Sequence, residues 1–151
     1  MSALDQSVRD FLADVAAPAP TSTGGSVAAV TTAAAAGLAA MTAGVSTSLP
    51  DSASMVSRAE ALRARAMDLA IADAASYEAV LAAQRRPRTD PGRSPALRSA
   101  LAEAAQPPLA IARTASEVAA LAARRRDLQR LTSGGLPDLE DEDVMHAAWQ
   151  R

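Results

Sequence analysis

Between Met55 and Val80 the hydrophobic positions recur as Met55, Ala59, Leu62, Ala66, Leu69, Asp73, Tyr77 and Val80, in steps of 4, 3, 4, 3, 4, 4 and 3. That spacing lays one buried stripe along a helix of 3.6 residues per turn. Asp73 stands in the stripe where a leucine would be expected. A buried carboxylate without partners is costly, so such a group raises its pKa or finds a hydrogen-bonding or charged neighbour. Either state suits proton transfer, and Asp73 is therefore a candidate catalytic residue. Leu49-Pro50-Asp51-Ser52 supplies a turn and N-cap for this helix, which is predicted to reach about Arg86. Arg58, Glu60, Arg63, Arg65 and Asp68 mark its wet side. At ~1.5 Å per residue it would be about 50 Å long, more than a minimal bundle needs, so part of it is expected to meet a partner or cover a site.

The remaining chain also reads as helices. Ser2-Ala3-Leu4-Asp5 has the form of a capping box ahead of a first helix with Leu4, Val8, Phe11, Leu12 and Val15 on one face. Ala17-Pro18-Ala19-Pro20 stops it and leads into the polar turn Thr21-Ser22-Thr23-Gly24-Gly25-Ser26. No charged residue occurs between Ala16 and Pro50, and Ser26 to Ser48 predicts a helix that is apolar all round. Such a helix is either a membrane span or the centre of a core. Its alanine and hydroxyl content, with no aromatic belt or basic flank, favours the core. Ala29, Ala33 and Gly37 form one row of small residues and Ala36, Ala40 and Gly44 another, which suggests packing within the subunit on one side and against a second copy on the other.

Further along, Arg85-Arg86-Pro87-Arg88-Thr89-Asp90-Pro91-Gly92-Arg93 is a loop with four arginines. It is either a solvated loop or a clamp for an anionic substrate tail. Ser94 as N-cap and Pro95 at the first position predict the next helix, with Leu97 and Leu101 inward. Pro107-Pro108 should kink or break it. A helical pattern then resumes through Ile111, Ala115, Val118 and Leu121 to Leu131, with Arg124-Arg125-Arg126 expected to complement its C-terminal dipole. Gly134-Gly135 closes it, and Asp138, Glu140, Asp141, Glu142 and Asp143 precede a last short helix with His146 and Trp149.

Composition narrows the chemistry. With 49% hydrophobic but only 2% aromatic residues, the core must be alanine, leucine and valine, and the fold class is all-α; 151 residues make one domain. All fifteen basic residues are arginine, which excludes a lysine Schiff base or P-loop carried by this chain. The absence of cysteine excludes disulfides, thiolate metal sites and a Cys nucleophile. One histidine supports no Ser-His-Asp triad, and the acidic cluster lacks EF-hand spacing, so no metal is expected. A net charge of -2 gives no nucleic-acid footprint, and the N-terminus shows no signal-peptide pattern, so a cytoplasmic protein is expected.

With these pieces placed, the chain resembles the cyclodeaminase/cyclohydrolase family, the folate-dependent C-terminal half of bifunctional formiminotransferase-cyclodeaminase. Phe11-Leu12-Ala13-Asp14-Val15, followed by the segment from Ala19-Pro20 through Gly24-Gly25-Ser26 to Ala29, is similar to the family's opening motif and glycine-rich turn. Asp73-Ala74-Ala75-Ser76-Tyr77 with Arg85-Arg86-Pro87-Arg88, Ala104-Ala105-Gln106-Pro107-Pro108-Leu109, and Gly134-Gly135-Leu136 through Asp141 resemble three later segments. Ser22 and Thr23 depart from the glycine-rich motif, Gly135 stands where the family has Asn, and the chain reaches Arg151 before the family's last helical segment.

The resemblance implies an antiparallel bundle of about five helices acting as a homodimer. Its substrate would be a tetrahydrofolate derivative, with no tightly bound cofactor and a possible formiminotransferase partner. The implied reaction closes 5-formimino-tetrahydrofolate to 5,10-methenyl-tetrahydrofolate with loss of ammonia; the alternative is methenyl-tetrahydrofolate hydrolysis. Asp73 falls on the family's proton acceptor. Gly24, Gly25 and Ser26 would bind substrate through backbone N–H groups at a helix start. Arg86 and Arg88 would hold the folate glutamate, and Asp141 would complete the substrate site. A bundle enzyme with another substrate, and a non-catalytic helical dimer in which Asp73 is a hydrogen-bonded buried acid, are the competing readings.

Overall fold

The computed structural model describes residues 4–18, 23–46 and 51–132. They form helices α1 (Val8–Ala16), α2 (Thr23–Val45), α3 (Ser52–Arg85), α4 (Arg93–Ala104) and α5 (Gln106–Thr132), with no strand among the described residues. The segments at Gly134-Gly135, the acidic run with Asp141, and His146 and Trp149 lie outside the described residues.

Two core clusters set the topology. Ala29, Ala70 and Ile111 meet in one, and Ala36, Leu62 and Val118 in the other. From the first to the second, α2 and α5 rise in number while α3 falls, so α3 runs antiparallel to both. The N-terminal part of α3 is thus the third member of a three-helix bundle. Its C-terminal part packs against α4, and together these make a two-helix arm. Ala105 separates α4 from α5, so the two helices in succession line the length of α3.

Small side chains build the bundle. Ala29, Ala33, Ala36, Ala40 and Ala43 of α2 and Ala59, Ala66 and Ala70 of α3 are buried, with Met55, Leu62, Ile111 and Val118 as the larger contributors. Buried hydroxyls bond within their own helices: Thr32 Oγ1 donates to the Ala28 carbonyl at 2.8 Å and Thr114 Oγ1 to that of Ala110 at 2.9 Å. Alanine surfaces carry little area each, and close helix approach lets many such contacts add.

The structure corrects several local expectations. α1 begins at Val8 with Ser7 as its N-cap, whose Oγ accepts the Asp10 N–H at 3.1 Å, later in the chain than the expected cap at Ser2 to Asp5, of which Ser2 and Ala3 lie outside the described residues. The alanines of both small-residue rows of α2, Ala29, Ala33, Ala36 and Ala40, are buried on one packed face, while Gly37 is half-buried and Gly44 exposed. α4 starts at Arg93 behind Gly92, which places Ser94 inside the helix, and Leu101 is 52% exposed and does not face inward. The chain breaks at Ala105, ahead of the prolines, so Pro107 and Pro108 occupy the first turn of α5, where backbone N–H groups have no intrahelical acceptor anyway. The arginine triplet does not end a helix. Arg124 donates to the carboxylate of Asp51 at 3.2 Å and Arg125 to Ser46 Oγ at 2.9 Å, tying α5 to the junction between α2 and α3.

Candidate active site

Asp73 sits where the three-helix bundle narrows to the arm. The stripe that predicted its burial holds: Met55, Ala59, Leu62, Ala66, Asp73 and Val80 are buried, with Ala70 and Ala83 joining them and Leu69 and Tyr77 half-buried. The antiparallel register brings the start of α2 and the start of α5 to the level of Asp73, since each lies about one turn beyond the cluster of Ala29, Ala70 and Ile111. Pro107 and Ser26, both buried, stand at that level.

The contact with α2 is unusually close. A Cβ built on Gly25 would overlap the carboxyl carbon and both oxygens of Asp73, so only glycine lets the acid rest against this turn of backbone. Gly24 is different: it is exposed and a Cβ there would meet nothing within 4 Å. The helix start that was expected to receive a ligand's negative charge therefore already has the chain's own carboxyl group against it. Next to Gly24 the same helix start is open to solvent.

Burial raises the Asp73 carboxyl pKa above the ordinary 3.8. The positive end of the α2 dipole favours the ionised form and opposes this shift, but desolvation sets the direction. A carboxyl group held in this state can accept and return a proton nearer neutral pH than a solvated aspartate. Among the described residues no group of three or more His, Cys, Asp or Glu side chains converges to hold a metal ion.

Arg86 and Arg88 are not brought to Asp73. The unbroken helix between them spans about 20 Å. The loop after it is ordered by its own side chains. Arg86 Nη1 donates to the Gly92 carbonyl at 3.0 Å and its Nε lies 3.6 Å from Asp90 Oδ2, while the Gly92 N–H donates to Asp90 Oδ1 at 2.8 Å. Arg93 closes the ring by donating to the Gln84 carbonyl at 3.3 Å. Arg88 is exposed beside this clasp. Sequence reasoning missed the approach of the α5 start to Asp73, although the Pro-Pro pair marks where a helix can begin.

Among the described residues, the fold and the site together define an all-helical arrangement with one buried acid, Asp73, at a junction of helix starts. The chain belongs to the formiminotransferase-cyclodeaminase family, whose model matches residues 7–130. That range covers the glycine-rich start of α2, Asp73, the arginine loop and the Pro-Pro segment, and stops short of Gly134 to Asp141. Comparison with curated proteins and with solved structures gives no match.

Proposed function

We propose that this chain is a folate one-carbon enzyme, a homodimeric formimidoyltetrahydrofolate cyclodeaminase in which Asp73 moves the proton. The observation that carries the reading is the buried Asp73 carboxyl, seated against Gly25 in a chain of this family. In the reaction the folate N10 nitrogen attacks the carbon of the protonated formimino group on N5. A bond forms between N10 and that carbon, and the carboxylate of Asp73 accepts the N10 proton. The same proton passes to the amino group, the carbon–nitrogen bond to it breaks, and ammonia leaves. The product is the 5,10-methenyl cation, so charge and protons balance, and Asp73 returns to its starting state.

A carboxyl group with a raised pKa suits both halves of this exchange, because it must hold the proton briefly and then release it to an amine. The open helix start at Gly24 offers backbone N–H groups to a polar edge of the substrate. Arg88, with Arg86 ordering the loop behind it, is the cation available to the carboxylate tail at the far end of the ligand.

Absorbance at the methenyl-folate band tests this with purified protein and 5-formimino-tetrahydrofolate. Asp73→Asn should lower the rate by about 10²–10⁴-fold, the usual contribution of a positioned acid–base group. Loss of the band from methenyl-tetrahydrofolate instead would identify the hydrolytic reaction. A wild-type rate no greater than buffer for both substrates, or an unchanged rate in Asp73→Asn, would refute the proposal.

A further inference from the structure

An apolar groove of about 320 Å³ runs between α2 and α5, lined by Thr31 and Ala35 of α2 and by Ala115, Val118, Ala119 and Ala122 of α5. Ala115, Ala119 and Ala122 are exposed and stand in steps of 4 and 3, so they form one smooth strip along the helix. A further step of 4 reaches Arg126, and another reaches Arg130. The strip thus passes from apolar to basic toward the end of α5. Arg126 lies 3.6 Å from its neighbour Asp127, an exposed pair that contributes little. The sequence that follows α5 carries a matching order. Gly134-Gly135 permits a reversal, and in the last predicted helix Asp138, Glu142, Met145 and Trp149 fall on one face in steps of 4, 3 and 4, passing from acidic to apolar.

We propose that the groove is the docking surface for the chain's own residues 138–151, which fold back as a helix antiparallel to α5 and seat Trp149 in it. The proposal is independent of the reaction assigned to Asp73. One register satisfies both ends of the contact: Trp149 falls opposite Ala119, Met145 opposite Ala122, Glu142 opposite Arg126 and Asp138 opposite Arg130. From Asp138 to Trp149 and from Ala119 to Arg130 are equal stretches of helix, about 16 Å each. Residues 133–137 are left to make the turn, within the usual range of about 2–8 residues between bundled helices. A tryptophan has about 150–250 Å² of surface to bury, and the alanine strip has no bulky side chain in the way. The charges fix the register. A shift of two turns would set the acids against alanines and leave both arginines unmatched.

Trp149 is the one tryptophan of the chain, so its fluorescence reports on the groove directly. Wild-type emission should be blue-shifted from that of free tryptophan amide and shielded from iodide. Ala119→Glu should abolish both effects while the helical circular dichroism persists. Ala120→Glu, the same change at an exposed position on the far side of α5, should alter neither. Arg126→Glu should move the emission toward the solvated value, and Glu142→Arg added to it should restore the shift. With no native cysteine, Ala122→Cys combined with Met145→Cys should be joined within one chain by a short bismaleimide, whereas Ala120→Cys combined with Met145→Cys should not. Fully solvated wild-type emission, a shift that survives Ala119→Glu, or no cross-link between residues 122 and 145 would overturn the proposal. So would a shift that appears only as protein concentration rises, which would give the groove to residues 138–151 of a second copy.

Discussion

The two halves of α3 are parts of one unbroken helix in unlike surroundings. Before Asp73 the helix lies between α2 and α5, and five of its side chains, Met55, Ala59, Leu62, Ala66 and Ala70, are buried at 4% exposure or less. After Asp73 only α4 covers it; Val80 and Ala83 are buried at 7% and α4 has no buried residue of its own. The comparison explains why an acid is tolerated at residue 73. It stands where enclosure by three helices gives way to two, close enough to the core to be desolvated and close enough to the boundary to be reached.

The largest expected effect follows from this contrast. Leu62, 2% exposed between Ala36 and Val118, has helices on both sides that cannot collapse together without moving the bundle. Leu62→Ala should cost about 2–5 kcal/mol in urea denaturation. Val80→Ala, in the arm, should cost less, about 1–2 kcal/mol, since fewer atoms are lost and α4 can settle into the gap. Equal losses at the two positions would mean that the arm is as tightly enclosed as the bundle, and the comparison would fail.

A smaller effect sharpens the boundary itself. Gly25→Ala drives a Cβ into the Asp73 carboxyl group and should cost about 1–3 kcal/mol, the range for overpacking. Gly24→Ala meets no neighbour and should leave stability unchanged or raise it by up to about 1 kcal/mol through the unfolded chain. A double-mutant cycle isolates the clash: in an Asp73→Ala background the cost of Gly25→Ala should disappear. If it persists, the need for glycine comes from the backbone of α2 and not from the acid.

How much of this was legible in the chain depended on polar markers. Asp73 was legible because charged residues on the wet side of α3 gave its stripe a phase, and one acid on the dry side stood out against it. The inward face of α2 was not, because a helix without charge offers no contrast from which to read a phase, and two rows of small residues looked like two faces. The separation of Arg86 from Asp73 was available all along, since an unbroken helix of that length fixes the distance. What no local pattern carries is the partner across the fold: Arg125 for Ser46, Gly25 for Asp73, and the start of α5 at the level of both.

The smallest effect tests whether Asp73 is strained by its surroundings, and its sign is determined by linkage. Burial raises the folded-state pKa of this carboxyl group above the 3.8 of an unfolded chain. A group shifted in that direction adds stability below its unfolded pKa and loses it as pH rises through the raised folded value. Above that raised value, wild type therefore carries an ionised carboxylate at a site that prefers it protonated. Asp73→Asn keeps the shape and removes the charge, so its melting temperature should exceed that of wild type near pH 7. The difference should shrink as pH falls through the raised folded-state value, below which the wild-type acid is protonated in the folded state. A variant less stable than wild type at neutral pH would mean that the carboxylate is held by favourable interactions at the start of α2 that outweigh its desolvation, and Asp73 would then belong with the structural acids instead of the proton carriers.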